Sequence, residues 1–369
     1  MSPSSECKIL FVGEAWGQQE EELSLRKKKP CPFVGSSGFF LLQTLFNVGL
    51  LPKAPPVKWP GALQMHEIWE SLSPQIKVTN VFQQRPGLLG DSVDQLFDNV
   101  PDECPEVPRL GPKQFLKAEN LHHLHRLQDE IAALRPNLVV LLGRTALWAV
   151  LQRTDISEAR GSIFSFPSGK ALPTYHPAAI FRRFSLQPVF HADLMKARIE
   201  SSTAEIFRLR RNIWTSPSVE DLWTWWNLHG KNSPLISIDI ETVKSSLISE
   251  VGFAASKTEA IHIPFILEDK ARRHFSLYWE SFSDEIKAWK FVRHVCECST
   301  PKIGQNILYD IQYLWKVMGI RVKNLAHDTM LQHHALFPGM DKGLGFLASI
   351  YCNERTYKGL RRHSNKDDE

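Results

Sequence analysis

Leu235-Ile236-Ser237-Ile238-Asp239-Ile240-Glu241-Thr242 decides the fold of the second half of the chain. Leu235, Ile236, Ile238 and Ile240 make a strand-like apolar run, and Pro234 marks where that strand can begin. Side chains alternate faces along a strand, so Asp239 and Glu241 project from the same face at its end. Two carboxylates held side by side repel each other unless something positive lies between them, and an all-oxygen set suits magnesium or manganese. Solvated acids at an exposed strand end are the plainer alternative.

Downstream, Gly304-Gln305-Asn306-Ile307-Leu308-Tyr309-Asp310 leads into Ile311, Leu314, Trp315, Val317 and Met318, the spacing of an amphipathic helix. Asn306 and Asp310, four apart, are expected on one helical face, which brings a third acid towards the first two. The D-x-E strand and the N-x-x-x-D helix resemble the first two motifs of the DEDD 3′-5′ exonucleases, in particular the proofreading domain of family-A DNA polymerases. Ala326-His327-Asp328-Thr329-Met330-Leu331 and the stretch from Lys342 to Tyr351 resemble the segment after the second motif in phage-type polymerases.

That resemblance covers residues 215 to 355 or so and implies a ribonuclease H-like mixed sheet acting on single-stranded DNA 3′ ends. It also implies two-metal phosphodiester hydrolysis, with Asp239, Glu241 and Asp310 as catalytic residues and as ligands of Mg2+ or Mn2+, and Asn306 on the substrate. The family's fourth acid lies in a Tyr-x-x-x-Asp or His-x-x-x-Asp motif on a later helix. The formal match here, His363-Ser364-Asn365-Lys366-Asp367, sits in a polar tail without a helical pattern.

In the first half, Lys8-Ile9-Leu10-Phe11-Val12 reads as a strand running into Gly13-Glu14-Ala15-Trp16-Gly17, a loop at the carboxyl edge of a sheet, where α/β proteins place ligands. Pro32-Phe33-Val34-Gly35-Ser36-Ser37-Gly38 comes after it, and then an apolar helix from Phe39 to Phe46. Next come the strand Ile76 to Val81 containing Asn80, the helix Leu121 to Leu134, the strand Leu138 to Gly143, and the loop Leu172-Pro173-Thr174-Tyr175-His176-Pro177-Ala178-Ala179-Ile180. Strands alternating with helices give a three-layer α/β/α sandwich. Residues 8 to 200 or so resemble, in order, the motifs of the family 4 uracil-DNA glycosylases, with Trp16 in place of the proline in the family's first loop.

The resemblance implies a pocket for a base turned out of the DNA stack. Phe33 would stack on the uracil, Asn80 would read its imide edge, His176 would stabilise the leaving oxyanion or grip a phosphate, and Glu14 would orient water. Taken singly, each has a plainer reading: a core phenylalanine, a turn asparagine, a loop histidine before proline, an exposed acid. The family's iron–sulfur cluster is not expected, because Gln84 stands where the Cys-Arg-Pro cysteine should be and Cys104 alone could not hold a cluster. A proline-rich insertion over residues 51 to 70 or so, with Trp59 and Trp69, has no counterpart in the family pattern.

The chain has 369 residues, enough for two full cores, and its 43% hydrophobic content comes with no long apolar run, so no membrane association is expected. A net charge of +4 permits nucleic-acid binding without requiring it. The six cysteines form no paired framework, which suits a cytoplasmic setting, that of a bacterial host if the gene is phage-encoded. The expected organisation is a glycosylase-like domain over 1–205, a linker over 206–218 in which Ile206 to Arg211 continues a helix, an exonuclease-like domain over 219–355 and a charged tail over 356–369. The expected function is DNA replication or repair combining the two modules without a polymerase domain, with a separate DNA polymerase subunit as a candidate partner. The alternative is a non-catalytic DNA-binding or polymerase-accessory protein built on the same folds.

Overall fold

A computed structural model describes residues 6–87, 92–99, 107–243, 247–269 and 274–352. The chain packs as two units: Phe207–Leu344 form one, and Met1–Ile206 form the other together with the described residues from Gly345 onward. His363, Asp367 and the charged tail lie outside the described residues, as does Cys104.

In the first unit the apolar runs become β1 (Ile9–Ala15), β2 (Ile76–Phe82), β3 (Leu138–Leu142), β4 (Phe164–Phe166) and β5 (Gly169–Thr174). The sheet order is β2-β1-β3-β5-β4, parallel except for the antiparallel edge strand β4. Residues from β1 divide strictly between two cores. Ile9 and Phe11 join Leu138, Val140 and Leu172 on one face, while Leu10 and Val12 join Val139, Leu141 and Ala171 on the other. Strands buried on both faces need helices on both sides, and this chain supplies them. The first face is covered by α1 (Gln18–Lys27), α2 (Ser36–Asn47) and α3 (Ala62–Leu72). The opposite face is covered by α4 (Leu121–Leu134) and α5 (Arg144–Leu151). After β5 come α6 (Pro177–Arg182) and α7 (Gln187–Glu200), the latter again on the first face. This is the expected three-layer arrangement.

The second unit is a six-stranded mixed sheet. Its elements are β6 (Asn212–Trp214), α8 (Val219–Trp225), β7 (Ile236–Val243), β8 (Leu247–Ala254), β9 (Glu259–Pro264), α9 (Phe282–Glu297), β10 (Lys302–Gly304), α10 (Leu308–Met318), β11 (Leu325–Asp328) and α11 (Thr329–Leu336). The order β11-β10-β7-β8-β9-β6 has β7, β8 and β9 antiparallel and the outer strands parallel, as expected of a ribonuclease H-like sheet. Ile236, Ile238 and Ile240 pack with Trp225, Phe291 and Leu314 in its core.

The expected helix over Ile206 to Arg211 does not form. Helix α7 ends at Glu200, and the chain runs without helix until the Asn212 N–H donates to the Thr258 carbonyl at 2.7 Å, which draws β6 onto the edge of the second sheet. Segment 206–218 therefore carries a sheet strand within it. A last helix, α12 (Leu344–Tyr351), packs with the first unit from Gly345 on. There the buried Arg160–Asp193 ion pair donates onward to the Ser349 hydroxyl, and Lys196 donates to the carbonyls of Gly161, Ser349 and Cys352.

Candidate functional site

The carboxyl ends of the parallel strands gather the first site. Glu14 is the last residue but one of β1, and Asn80 lies beside Gly13 in the register of β2 with β1. Gly143 follows β3, and Tyr175 and His176 follow β5. Glu14, Phe33, Asn80 and His176, all named from sequence, line one cavity of about 710 Å³, together with Trp16, Glu20, Arg144 and Arg182.

Gly13 explains part of this convergence. A Cβ there would come within 2.3 Å of the Asn80 side-chain oxygen and 2.5 Å of the Phe33 ring, so only glycine lets the two side chains meet over β1. Asn80 is buried, and Arg126 from α4 holds its strand end by donating to the Asn80 and Val81 carbonyls. The Phe33 and His176 rings stand 6.2 Å apart between centroids.

His176 caps α6: its Nδ1 accepts the Ala178 N–H at 3.1 Å. That bond fixes the proton on Nε2 when the ring is neutral. Burial, with Arg182 nearby, pushes the His176 pKa down to about 4, which favours the neutral ring. Glu14 shows the opposite shift. Burial raises its pKa, while the Thr145 hydroxyl, which donates to its carboxylate, and the guanidinium groups of Arg182 and Arg144 pull it back. Thr145 escaped sequence reasoning, although Gly143-Arg144-Thr145 repeats the strand-glycine-helix signature that singled out the first loop. Trp16 keeps its indole N–H buried without a hydrogen-bond partner.

Among the described residues, the position of the family's Cys-Arg-Pro cysteine offers no cluster ligand. The Gln84 side chain donates to Asn120 at 3.1 Å, and the buried Asn120 donates to the Leu96 carbonyl at 3.2 Å. Cys7 and Cys31 are buried thiols, and burial raises their pKa values.

The second site lies where β7 meets α10. Asp239 is exposed and Glu241 half-buried on β7, while Asp310 is buried on α10, its Oδ1 accepting the Ile240 N–H at 2.8 Å. Burial, followed by the charges of Asp239 and Glu241, pushes the Asp310 pKa up to about 7. Three carboxylates within mutual electrostatic reach are a donor set suited to a divalent cation. They do not close into a preformed cage: among the described residues no three His, Cys, Asp or Glu side chains do so.

Asn306 corrects the helical reading. It lies before α10 with φ +55, so it does not share a helical face with Asp310. The chain turns there because Asp328, the N-cap of α11, accepts the N–H groups of Asn306 and Ile307 at 3.1 Å as well as those of Met330 and Leu331. The Thr242 and Tyr309 hydroxyls, 2.8 Å apart, add a second tie between β7 and α10. Neither tie is legible in the sequence.

Comparison with known proteins gives one family match for each half of the chain. The family description "Uracil DNA glycosylase superfamily" matches residues 2–198, and "3'-5' exonuclease" matches residues 217–367. The type-4 uracil-DNA glycosylase of Archaeoglobus fulgidus is 27% identical over 203 residues, covering 52% of this chain and 76% of its own. That of Sulfurisphaera tokodaii is 24% identical over 201 residues, covering 52% and 69%. The EXD2 exonuclease domain, in crystals soaked in Mg and dGMP, is 17% identical over 43% of this chain and 76% of its own, with a TM-score of 0.24.

Proposed function

We infer, from the premise that this chain belongs to the uracil DNA glycosylase superfamily and carries a 3′-5′ exonuclease domain behind that module, that it excises uracil from DNA and trims DNA 3′ ends. The observation that carries the first activity is the meeting of Glu14, Phe33, Asn80 and His176, up to 162 residues apart in the chain, around one cavity.

An extruded uracil stacks on Phe33 and pairs its imide edge with the Asn80 amide, which offers both a donor and an acceptor. The bond between the sugar C1′ and the base N1 breaks, and negative charge collects on the departing uracil. A neutral His176, with its proton on Nε2, donates to the uracil oxygen without carrying a competing charge. Water adds to C1′ and yields its proton to Glu14, whose raised pKa makes it a stronger base when ionised. Thr145 holds that carboxylate in position.

In the second site Asp239, Glu241 and Asp310 would hold Mg2+ or Mn2+. When bound, such ions make water acidic and neutralise charge building on the phosphate. Asp310 supports this reading because its carboxyl is buried beside the charges of Asp239 and Glu241, which together raise its pKa to about 7, and a cation would stabilise the ionised form.

Alkali-labile sites in a uracil-containing single strand test the first activity, which Asn80→Ala and His176→Ala should abolish. Metal-dependent shortening of single-stranded DNA tests the second, and Asp239→Ala should abolish it while leaving uracil excision intact. Wild-type protein that binds DNA and yields neither product would favour a binding protein built on both folds.

A further inference from the structure

The geometry points to Trp59 and Trp69, supplied by the segment between residues 51 and 70, as positioning residues that lock the base-stacking Phe33 into its working conformation. The inference rests on the uracil reading of the first cavity.

Phe33 has φ +56, a left-handed backbone that a bulky side chain adopts only when its surroundings enforce it. The enforcement comes from side chains that take its backbone groups one after another. The Trp69 indole N–H donates to the Phe33 carbonyl at 2.9 Å, and the Trp59 indole N–H donates to the next carbonyl, that of Val34, at 3.0 Å. On either side, the Cys31 N–H is held by the Ser24 hydroxyl at 2.9 Å and the Gly35 N–H by the Glu20 carboxylate at 3.2 Å.

The pinned Phe33 carbonyl also presses against Gly38 on α2, where a Cβ would come within 1.7 Å of the carbonyl oxygen. The ring then has one place to go, over Gly13 and beside Asn80. Trp69 is 5% exposed and locked in the core beneath the loop, whereas Trp59 is 42% exposed and reaches in from the surface. Neither tryptophan touches the space a base would occupy, since neither lines the cavity. They act through Phe33.

Trp59→Phe and Trp69→Phe remove the indole N–H and keep a ring. Each should slow single-turnover uracil excision by about 10- to 100-fold, the scale of loss for a misplaced reacting group, with affinity for undamaged DNA unchanged. In a Phe33→Ala background the same substitutions should cause no further loss, because there is no ring left to position. Losses that multiply in that background would overturn the inference.

Trp69→Phe risks general unfolding, so the half-exposed Trp59 provides the independent variant. Amide hydrogen exchange provides a readout that needs no activity. Exchange over residues 33–38 should rise in both variants while that of β1 and β3 stays at the wild-type rate, and unchanged exchange over 33–38 would also overturn it. If the wild type releases no uracil, the functional reading fails and the exchange measurement alone decides the brace.

Discussion

His176 works as a neutral donor, and the reason is visible atom by atom: Nδ1 is occupied by the Ala178 N–H, and burial keeps the ring uncharged above about pH 4. Replacing it with alanine should cost about 10²- to 10³-fold in excision rate, the usual loss for one donor to a developing oxyanion. Between pH 5 and 8 the wild-type rate should show no limb from this ring. The acidic limb belongs to Glu14, whose raised pKa means that the active, ionised form is lost as pH falls; Glu14→Gln should remove that limb along with most of the rate. Asp310 gives a prediction about stability. Its folded pKa of about 7 stands above the ordinary 3.8, so the folded state holds a proton that the unfolded chain releases between those values. Metal-free protein should therefore lose stability as pH rises from 4 to 7, by at most on the order of 4 kcal/mol for about three units. Thermal melts of Asp310→Asn without metal should gain most over wild type above pH 7 and little near pH 4.

At the scale of elements, Asp328 joins the end of β11 to the turn that launches α10, accepting N–H groups from both sides. Asp328→Ala should slow 3′-end trimming about 10-fold or more through a misplaced Asp310, with uracil excision untouched; equal rates for variant and wild type would refute the link. The contact of α12 with the first unit centres on Arg160 and Asp193, both essentially inaccessible, with Thr174 also donating to Asp193. Removing one partner of a buried pair strands the other, so Asp193→Ala should cost about 3–5 kcal/mol in chemical denaturation of the first unit. Replacing both with apolar residues of similar size should cost much less.

Over the whole chain, the legible features are those set by local pattern. Alternating apolar residues mark the strands around Phe11, Val140 and Ile238, and the resemblance to the family 4 uracil-DNA glycosylases groups Glu14, Phe33, Asn80 and His176, which line one cavity. The features that escape depend on partners distant in sequence. Four-residue spacing suggests a shared helical face for Asn306 and Asp310, and only Asp328, 22 residues on from Asn306, shows why the chain turns there instead. The basic run after Ile206 has a helical composition, yet Thr258 recruits the residues beyond it into a sheet. Trp59 and Trp69 carry no signal beyond their bulk, since their indole groups act on carbonyls 25 and 36 residues away. Among the described residues no helix is long and apolar enough to cross a membrane. The most direct measurement is free uracil released from a uracil-bearing single strand, quantified by mass spectrometry for the wild type and for Asn80→Ala. The account predicts stoichiometric release by the wild type and at least about 100-fold slower release by the variant. Equal release by both, or none from folded wild-type protein, would contradict it.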